Sequence, residues 1–465
     1  MNWEKLHSVY FLGIGGIGMS AIARYFNHIG LPVYGYDKTP SPLTRTLEEE
    51  GMIITYDDVL EAIPEQIQAD PSKVLIVWTP AIPKDSVLLN FFVDKGYNLK
   101  KRSEVLGMIT HSMNTVGVAG THGKTTTSSM VAHLLKDAGK NIAAFLGGLT
   151  QNYNSNLILH DEESEEQVTV VVEADEFDRS FLRLFPNVAV VTSVDADHLD
   201  IYGDAQELTD SFNKYIDLLP EDGLLFIQKN ALKNLNRNDF GNRRVLEYGL
   251  GEGDIRAENI HAGPVSFTFD YISEGVTIKG LVLNVPGFHN VENALAAISI
   301  ALEYGVNAEQ IREGLKSFRG VKRRFEIKQQ DDKGVYIDDY AHHPEEIKAF
   351  LGSVKAMYPD QKLTAIFQPH LFTRTRDFAP EFSEALSLAD DLLLLPIYPA
   401  RELPIAGVNA EMLLGAISSP TKQLVNKEEL LSILQERKPQ VLVTLGAGDI
   451  DRLVDPINQL MKDWK

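Results

Sequence analysis

The sequence contains no cysteine. Without thiols the chain can form neither a disulfide framework nor a thiolate metal site, and this fits a cytoplasmic protein in a reducing compartment. Positive charge is also scarce, because 44 Lys and Arg stand against 65 Asp and Glu and give a net charge of −21. We therefore expect no long basic face and no nucleic-acid partner. A chain this acidic must concentrate its cations locally if it is to handle anionic substrates.

Long apolar runs are missing too. No stretch reaches the ~18 residues that a membrane-spanning helix needs, so we expect no membrane partner. The segment SVYFLGIGGIGMSAIA is apolar and ends in small residues, as a secretion signal does. Four glycines within six of its positions (Gly13, Gly15, Gly16 and Gly18) argue against an apolar signal helix, and we interpret the segment as part of the folded protein.

The order of apolar runs predicts an α/β protein. With 465 residues the length suggests about three domains. Up to about residue 108, short apolar runs alternate with amphipathic segments, which predicts βαβ units and a parallel sheet. A second unit opens with NTVGVAGTHGKTTTSSMVAHLLKDAG, a strand, a glycine loop and a helix that Gly139 caps. Residues 256–286 alternate apolar and polar positions, which predicts an antiparallel meander.

A third unit follows FRGVKRRFEI. Its predicted strands are GVYIDDY, KLTAIFQP, DDLLLLPIY and QVLVTLGAGD, with helices between them. The sequence thus predicts three α/β domains, joined by short linkers near residues 108–114 and 318–326.

The first glycine loop has the spacing Gly13-x-Gly15-x-x-Gly18 between a strand and a helix, and Asp37 follows nineteen residues after Gly18. This is the dinucleotide fingerprint. Glycines let the backbone approach a diphosphate closely, and the helix N-terminus offers free N–H groups to it. Any diphosphate suits such a loop, so NAD, a UDP group and a purely structural turn all stay open.

The second glycine loop, Gly120-Thr-His-Gly-Lys-Thr-Thr126, departs from the usual G-x-x-x-x-G-K-S/T pattern, because Val118 stands where the first glycine belongs. The functional elements remain. Gly123 lets the backbone curl, Lys124 supplies a charge for β- and γ-phosphates, and Thr125 supplies a hydroxyl for Mg²⁺. A chance G-K-T between a strand and a helix is the alternative.

Acidic residues follow the next buried strand, as a magnesium site requires. VTVVVE ends in Glu173, where a carboxylate closing an apolar strand suits a Mg²⁺ ligand. For Asp175, Glu176 and Asp178, which come next, a solvated acidic turn stays equally open. His198 in SVDADHLD is either a surface histidine or a contact to a second metal or a phosphate.

Taken together, GTHGKTTT, EADEFDRSF and DADHLDIYG resemble the Mur ligases. The match continues in chain order, over essentially the whole sequence, through GFHNVENALAA, GVKRRFE, DDYAHHPEEI, FQPHLFTRTRD and GAGDI. The shifted glycine is similar to the family's G-T-x-G-K-S/T variant. The resemblance implies a Rossmann-like UDP-sugar domain (1–108), a central P-loop ATPase domain with a parallel sheet plus a small antiparallel sheet (109–320), and a Rossmann-like C-terminal domain for amino-acid binding and closure (321–465).

The resemblance also implies a reaction. It is the ATP-dependent joining of L-alanine to the lactyl carboxylate of UDP-N-acetylmuramate through an acyl phosphate, the first amino-acid addition in peptidoglycan synthesis. ATP and Mg²⁺ are the implied cofactors, and the protein is expected to be a monomer or homodimer. A ligase that attaches a whole tripeptide during wall recycling is one alternative. A nicotinamide-dependent dehydrogenase and a non-catalytic nucleotide switch are others.

Site residues carry over by position. The implied UDP-sugar contacts are Gly13, Gly15, Gly16, Ile17, Gly18, Asp37 and Thr79. The implied ATP contacts are Gly120, Thr121, His122, Gly123, Lys124, Thr125, Thr126, His289, Asn290, Asn293, Arg324 and Asp339. The implied metal ligands are Thr125, Glu173 and His198. The implied catalytic residues are Lys124, Glu173, His198, His342, His343 and Arg374.

Several roles remain open within that set. His342 or His343 could accept the proton of the attacking amine, or the His–His–Pro segment could be a turn in which one histidine orients the other. Arg374 is the implied cation for a carboxylate or phosphate. Leu371 stands where the family often has arginine, so one expected cation is missing. Thr79 lies in WTPAIPKDS, which replaces a common Ser-Ser-Ala turn.

Overall fold

The computed structural model of the protein describes residues 5–195, 202–400 and 402–464. The chain folds into two compact units. The first comprises Met1–Ile255 and Ala296–Gly314, and the second comprises Arg256–Leu295 and Leu315–Lys465. His198 lies outside the described residues.

A five-stranded parallel sheet opens the first unit, with strand order β3-β2-β1-β4-β5. Its strands are β1 (Ser8–Leu12), β2 (Val33–Tyr36), β3 (Ile53–Thr55), β4 (Val74–Trp78) and β5 (Asn98–Lys101). Its helices are α1 (Ile17–His28), α2 (Pro42–Glu49), α3 (Glu65–Ala69), α4 (Val87–Asp94) and α5 (Arg102–His111). Strands buried along their whole length, such as β1 and β2, are typical of parallel sheets covered by helices on both faces.

The same unit contains seven further strands in the order β12-β11-β10-β6-β9-β7-β8. They are β6 (Asn114–Ala119), β7 (Ile142–Phe145), β8 (Leu157–Ile158), β9 (Thr169–Ala174), β10 (Val188–Val191), β11 (Leu224–Gln228) and β12 (Arg244–Leu250). The associated helices are α6 (Lys124–Asp137), α7 (Ala205–Asp217) and α8 (Lys229–Leu235). Ala119 of β6 pairs with Ala174 of β9 and Val191 of β10, so these parallel strands end at one edge of the sheet.

The two sheets of the first unit share an apolar core. The ring of Tyr25 on α1 lies 5.5 Å from the ring of Phe145 on β7. Both belong to one buried cluster that also contains Phe26 and Val172. This shared core fixes the first glycine loop relative to the second.

The second unit begins with a three-stranded antiparallel ribbon, β13 (Ile255–Ala262), β14 (Phe267–Ser273) and β15 (Val276–Leu283). Helices α9 (Phe288–Glu303) and α10 (Ala308–Ser317) follow, and each is divided between the units, because Ala296–Gly314 belongs to the first. The last sheet has the order β16-β17-β21-β18-β19-β20, parallel except at β16. Its strands are β16 (Glu326–Asp331), β17 (Gly334–Asp339), β18 (Leu363–Phe367), β19 (Asp391–Leu394), β20 (Thr421–Leu424) and β21 (Val441–Leu445). Its helices are α11 (Pro344–Met357), α12 (Phe372–Asp377), α13 (Ala379–Leu386), α14 (Ala410–Ala416), α15 (Lys427–Arg437) and α16 (Asp451–Lys462).

The predicted fold class is confirmed, including the parallel sheets and the meander. Gly139 takes a left-handed conformation just after α6, as predicted for a helix cap (φ +82°). The predicted domain boundaries at residues 108 and 320 stay predictions. Among the described residues, no helix combines the length and the apolar character needed to cross a bilayer.

Candidate active site

The second glycine loop forms a tight turn between β6 and α6. Gly120 has φ +144° and Gly123 caps α6 with φ +79°. A Cβ at Gly120 would lie only 2.0 Å from Oγ1 of Thr192, so no larger residue fits there. Position 120, rather than 118, therefore has to be glycine for two reasons. Its φ is positive, and Thr192, just after β10, leaves no room for a side chain.

Hydroxyl groups after β10 hold this loop in shape. Ser193 Oγ accepts a hydrogen bond from the backbone N–H of His122 at 2.7 Å and lies 2.9 Å from Oγ1 of Thr121. Thr121 Oγ1 also accepts the N–H of Asp195 at 3.1 Å. Thr192 and Ser193 were not predicted as part of the site, although their position directly after an apolar strand was an available signal.

Lys124 forms a buried ion pair with Glu176. Its Nζ lies 2.7 Å and 3.0 Å from the two carboxylate oxygens and donates to the carbonyl oxygen of Gly120 at 2.5 Å. Burial alone would lower the pKa of Lys124, but Glu176, Asp175 and Glu173 outweigh it and raise the pKa, so the ammonium stays charged. The Glu176 side chain is 0% exposed. The interpretation of Glu176 as part of a solvated acidic turn is therefore wrong.

Glu173 is the second-last residue of β9 and pairs with Val118 of β6, the strand that leads into the second loop. Its Oε2 accepts the backbone N–H of Gly147 at 3.0 Å. A Cβ at Gly147 would lie 2.2 Å from the Glu173 carboxylate, so Gly147 has to be glycine for the carboxylate to keep this position. Carboxylate and hydroxyl oxygens suit Mg²⁺, and Glu173 together with Thr125 at the start of α6 fits such an ion.

The first glycine loop is braced by Asp37. The carboxylate accepts the backbone N–H of Gly15 at 2.7 Å. A Cβ at Gly15 would lie 2.8 Å from the same carboxylate oxygen and 2.7 Å from a methyl carbon of Thr44. A cavity of ≈ 650 Å³ lies beside this loop, and its lining includes Gly13, Gly16, Gly18, Asp37 and Thr79.

Arg102, at the start of α5, lies between the first loop and the acidic segment that follows β9. A Cβ at Gly18 would lie 2.4 Å from a guanidinium nitrogen of Arg102, and the other terminal nitrogen lies 3.6 Å from Asp175 Oδ2. Gly18 and Arg102 line both the first cavity and a second one of ≈ 270 Å³. The second cavity is also lined by Ile17, Leu146, Gly147, Glu173 and Asp175. Arg102 was not predicted, because nothing in the run KKR distinguishes one cation from its neighbours.

In the second unit, the segment after Arg323 is bonded to the end of β17. The Asp339 carboxylate accepts the N–H of Phe325 at 2.6 Å and that of Ala341 at 2.7 Å. Burial raises the pKa of Asp339 to about 7, although Arg324 opposes the shift. The guanidinium carbons of Arg323 and Arg324 lie 5.3 Å and 5.1 Å from the centre of the Tyr340 ring.

The buried side chain of His289 lies near Phe325 in the second unit. Burial lowers the pKa of His289 to about 4, with Glu346 opposing and Arg324 reinforcing the shift, so the imidazole is neutral at pH 7. Its ring lies 6.0 Å from that of Phe325. Asn290 donates to the carbonyl oxygen of Pro286 at 2.8 Å, and Asn293 donates to Asn290 at 3.3 Å. The second unit therefore brings His289, Arg324 and Asp339 into one neighbourhood.

The two adjacent histidines have different surroundings. His343 caps α11, where its Nδ1 accepts the N–H of Glu345 at 3.4 Å, and its ring lies 4.9 Å from the ring of Phe378. His342 places Nδ1 3.0 Å from the carbonyl oxygen of Tyr340 and 3.4 Å from the Glu346 carboxylate. His343 thus has a helix-capping contact, whereas His342 has a carbonyl and a carboxylate beside its ring.

Arg374 lies on α12 and is largely buried. Leu371, just before this helix, has φ +70° and ψ +137°, a combination that a non-glycine residue adopts at a cost of about 1–3 kcal/mol. Its carbonyl oxygen accepts the hydroxyl of Thr375 at 2.7 Å, and its N–H donates to Tyr398 at 3.0 Å. The strained turn orients α12, and with it Arg374.

Comparison with known families accounts for most of the chain. Residues 8–113 match the Mur ligase family catalytic domain, residues 118–301 match the Mur ligase middle domain, and residues 323–448 match the Mur ligase glutamate ligase domain.

Individual relatives match over the full length. The UDP-N-acetylmuramate–L-alanine ligase of Cytophaga hutchinsonii is 47% identical over 99% of this chain and 98% of its own. That of Flavobacterium johnsoniae is 43% identical, with 100% of both chains covered. Among solved structures, the UDP-N-acetylmuramate-alanine ligase of Thermotoga maritima has a TM-score of 0.80 and 28% identity, and it covers 98% of this chain and 100% of its own. With both glycine loops in place and matches that span almost the whole sequence, the chain belongs to the Mur ligase family.

Proposed function

We propose that this protein joins L-alanine to the lactyl carboxylate of UDP-N-acetylmuramate, with ATP cleaved to ADP and phosphate. A carboxylate oxygen of the sugar attacks the γ-phosphorus, and the bond to the β-phosphate oxygen breaks as ADP leaves. The alanine amine then attacks the acyl carbon of the acyl phosphate. The carbon–oxygen bond to phosphate breaks, the amine loses a proton, and the amide and phosphate are the products.

The observation that carries this proposal is that the two cavities in the first unit adjoin at Gly18 and Arg102. A ligand held at the first glycine loop would therefore lie next to the cavity that Glu173 lines. A nucleotide-sugar bound at Gly13–Gly18 would extend its acid toward the triphosphate at Lys124. The relatives that match the chain over nearly its full length are named as ligases of UDP-N-acetylmuramate and L-alanine, which supports the choice of these two substrates.

Charge is the main obstacle to the first step, because a carboxylate must approach a triphosphate. Each pair of like unit charges at 4 Å costs about 4 kcal/mol at an effective dielectric near 20. Lys124, held charged by Glu176, would offset part of that repulsion at the γ-phosphate. Arg102 would offset another part on the side of the carboxylate substrate, because it lies between the two cavities.

Thr125 and Glu173 would hold Mg²⁺, as their oxygen ligands and their position beside Lys124 suggest. When bound, the ion neutralises charge on the phosphate oxygens. His198, the third ligand that the family resemblance implies, lies outside the described residues. Gly147 supports the arrangement because its N–H fixes the orientation of the Glu173 carboxylate.

We assign the amine proton to His342 rather than His343. The Nδ1 of His343 accepts a backbone N–H of α11, which is a structural role. His342 has Glu346 beside its ring to stabilise the charged form after proton transfer. His342→Gln should therefore lower turnover by about 10²–10⁴-fold, the usual loss for a general base.

His343→Asn is the matched control, because asparagine is a good helix cap. We expect near-normal turnover and melting temperature for this variant in a coupled phosphate-release assay. Equal losses of turnover in both variants, with both folded, would remove the assignment to His342.

The substrate assignment is tested by phosphate release with UDP-N-acetylmuramate, ATP and Mg²⁺. L-alanine should stimulate release strongly, and the tripeptide of the recycling reaction should not. Faster release with the tripeptide would identify a recycling ligase instead. Oxidation of NADH, followed by absorbance in the same buffer, would indicate a dehydrogenase, and we expect none.

The cellular setting follows from the substrates. ATP and nucleotide-sugars are cytoplasmic metabolites, and the lack of cysteine fits a reducing compartment. We therefore propose that the protein works in the cytoplasm, as a monomer or homodimer. Sedimentation at micromolar concentration distinguishes the two.

A further inference from the structure

Three metal-ligating side chains converge in the first unit, away from the glycine loops. His28 lies in the last turn of α1, and His160 and Glu162 follow β8. One possible ligand atom from each lies within 4.8 Å of the others, and no other such group occurs among the described residues. The His28 Nε2 is 3.9 Å from a carboxylate oxygen of Glu162, and the two imidazole rings meet edge to face at 5.1 Å.

One nitrogen of each imidazole is buried without a hydrogen bond. Nε2 of His28 and Nδ1 of His160 are both shielded from solvent, and neither has a hydrogen-bond partner within the described part of the chain. A buried polar atom without a partner ordinarily costs about 1–3 kcal/mol. Two such nitrogens beside one carboxylate form the donor set of a metal centre, and a cation bound between them would remove that cost.

We propose that His28, His160 and Glu162 bind a divalent transition-metal ion of the zinc class. Two imidazoles and a carboxylate are ligands that suit Zn²⁺, Ni²⁺ or Cu²⁺, whereas Mg²⁺ prefers oxygen ligands alone. With bonds of about 2.0–2.2 Å in a tetrahedral site, ligand atoms lie about 3.3–3.6 Å apart. The ligand atoms, which lie within 4.8 Å of one another, therefore need to approach by at most about 1.5 Å, and the fourth position takes water.

The charges around the group favour a cation on balance. Glu162 supplies one negative charge, and Asp161 adds a second nearby. Lys136 opposes them from α6, where its Nζ donates to the carbonyl oxygen of Leu159 at 3.4 Å. Lys136→Gln should therefore strengthen metal binding, because it removes the competing charge and leaves the three ligands unchanged.

The position of the group predicts what the ion does. It would tie the C-terminal end of α1 to the chain after β8, next to an existing connection in which Arg24 donates to Asn156 at 2.9 Å. The first glycine loop lies at the other end of α1, which is about 18 Å long at 1.5 Å per residue. The ion is thus a structural tie between the two sheets of the first unit and has no contact with the reacting groups.

The test is equilibrium dialysis of the full chain against ZnCl₂ in a buffer that contains millimolar MgCl₂. The wild-type protein should hold one more zinc ion per chain than His28→Gln and His160→Gln. Affinity at this site should fall by more than the ~10–100-fold that loss of a partner behind a metal ligand costs. His7→Gln, which changes an exposed histidine just before β1 in the same unit, is the matched control and should keep the wild-type stoichiometry.

A second readout separates a site from a folding defect. Co²⁺ bound by the wild-type protein should show the intense visible absorption of a tetrahedral ion, and Glu162→Gln should weaken or abolish it. ZnCl₂ should raise the melting temperature of the wild type and of Lys136→Gln but not that of His28→Gln. Identical zinc stoichiometry in the wild type and both ligand variants would overturn the proposal, as would displacement of this zinc by millimolar Mg²⁺.

Discussion

The two glycine loops of the first unit begin alike and are held in different ways. Each joins a buried parallel strand to a helix N-terminus. In the first loop the Asp37 carboxylate accepts the N–H of Gly15. In the second, Ser193 accepts the N–H of His122, and Lys124 on the loop pairs with the buried Glu176.

The difference shows that a glycine loop provides a general anion site and that its neighbours determine the chemistry. The first loop carries no cation of its own and receives Arg102 from α5, which suits a diphosphate that is held but does not react. The second loop has Lys124 within it and Glu173 beside it, which suits a phosphate that is transferred. Three sets of substitutions test this contrast, and their expected effects decrease from Lys124 through the glycines to Asp37.

The largest effect is expected at Lys124. Lys124→Met should lower ADP formation by about 10²–10³-fold or more, the loss typical of removing one group that stabilises the transition state. UDP-N-acetylmuramate binding should change little, because no hydrogen bond or ion pair among the described residues joins Lys124 to the first loop. The variant should also lose about 3–5 kcal/mol of stability, since Glu176 is left buried without its cation.

The double variant Lys124→Met/Glu176→Gln separates these two effects. It should recover most of the melting temperature, because no uncompensated charge remains, and it should stay inactive. Recovery of turnover together with stability would mean that Lys124 is structural only, and the contrast between the loops would fail.

The next prediction compares the substitution of one glycine from each loop. Gly120→Ala would place a methyl group against Thr192 in a strained backbone conformation, so both stability and turnover should fall strongly. Gly18→Ala would meet only the end of the flexible Arg102 side chain. It should raise KM for UDP-N-acetylmuramate and leave the melting temperature within a few degrees. Equal decreases in melting temperature in the two variants, measured by scanning calorimetry, would contradict the proposed difference between the loops.

The smallest effect is expected at Asp37. Asp37→Asn keeps a hydrogen-bond acceptor for Gly15 but removes its charge, and charged acceptors bond about twice as strongly as neutral ones. Affinity for UDP-N-acetylmuramate should fall by about 3–10-fold, the equivalent of roughly 1 kcal/mol. The KM for ATP should not change. A larger effect on ATP than on the nucleotide-sugar would show that the loops have been assigned the wrong way round.

Local features of the site could be predicted from the sequence. Gly123, Lys124 and Thr125 are adjacent in the chain, and Glu173 closes an apolar run, so short patterns identify them. The relationships across the sheet could not be predicted in this way. Gly147 faces Glu173, and Lys124 pairs with Glu176, because of strand register that no local pattern encodes.

The same distinction applies to the fold. Buried strands such as β4 and β21 were predicted because every residue of VLIV and VLVTL contributes to the core. β3 has only three residues, and β20 reads TKQL with exposed side chains at the edge of its sheet. Neither strand is buried along its length, since an edge strand is held by backbone pairing to its neighbour rather than by burial.

The central claim is that one chain has two separate anion sites, one for a uridylyl sugar and one for a triphosphate. Isothermal titration of the wild-type protein with UDP-N-acetylmuramate, first alone and then with a non-hydrolysable ATP analogue and Mg²⁺ already bound, tests it most directly. We predict one nucleotide-sugar per chain in both titrations, with the analogue retained. Displacement of the analogue by the nucleotide-sugar, or a single shared site, would contradict the account.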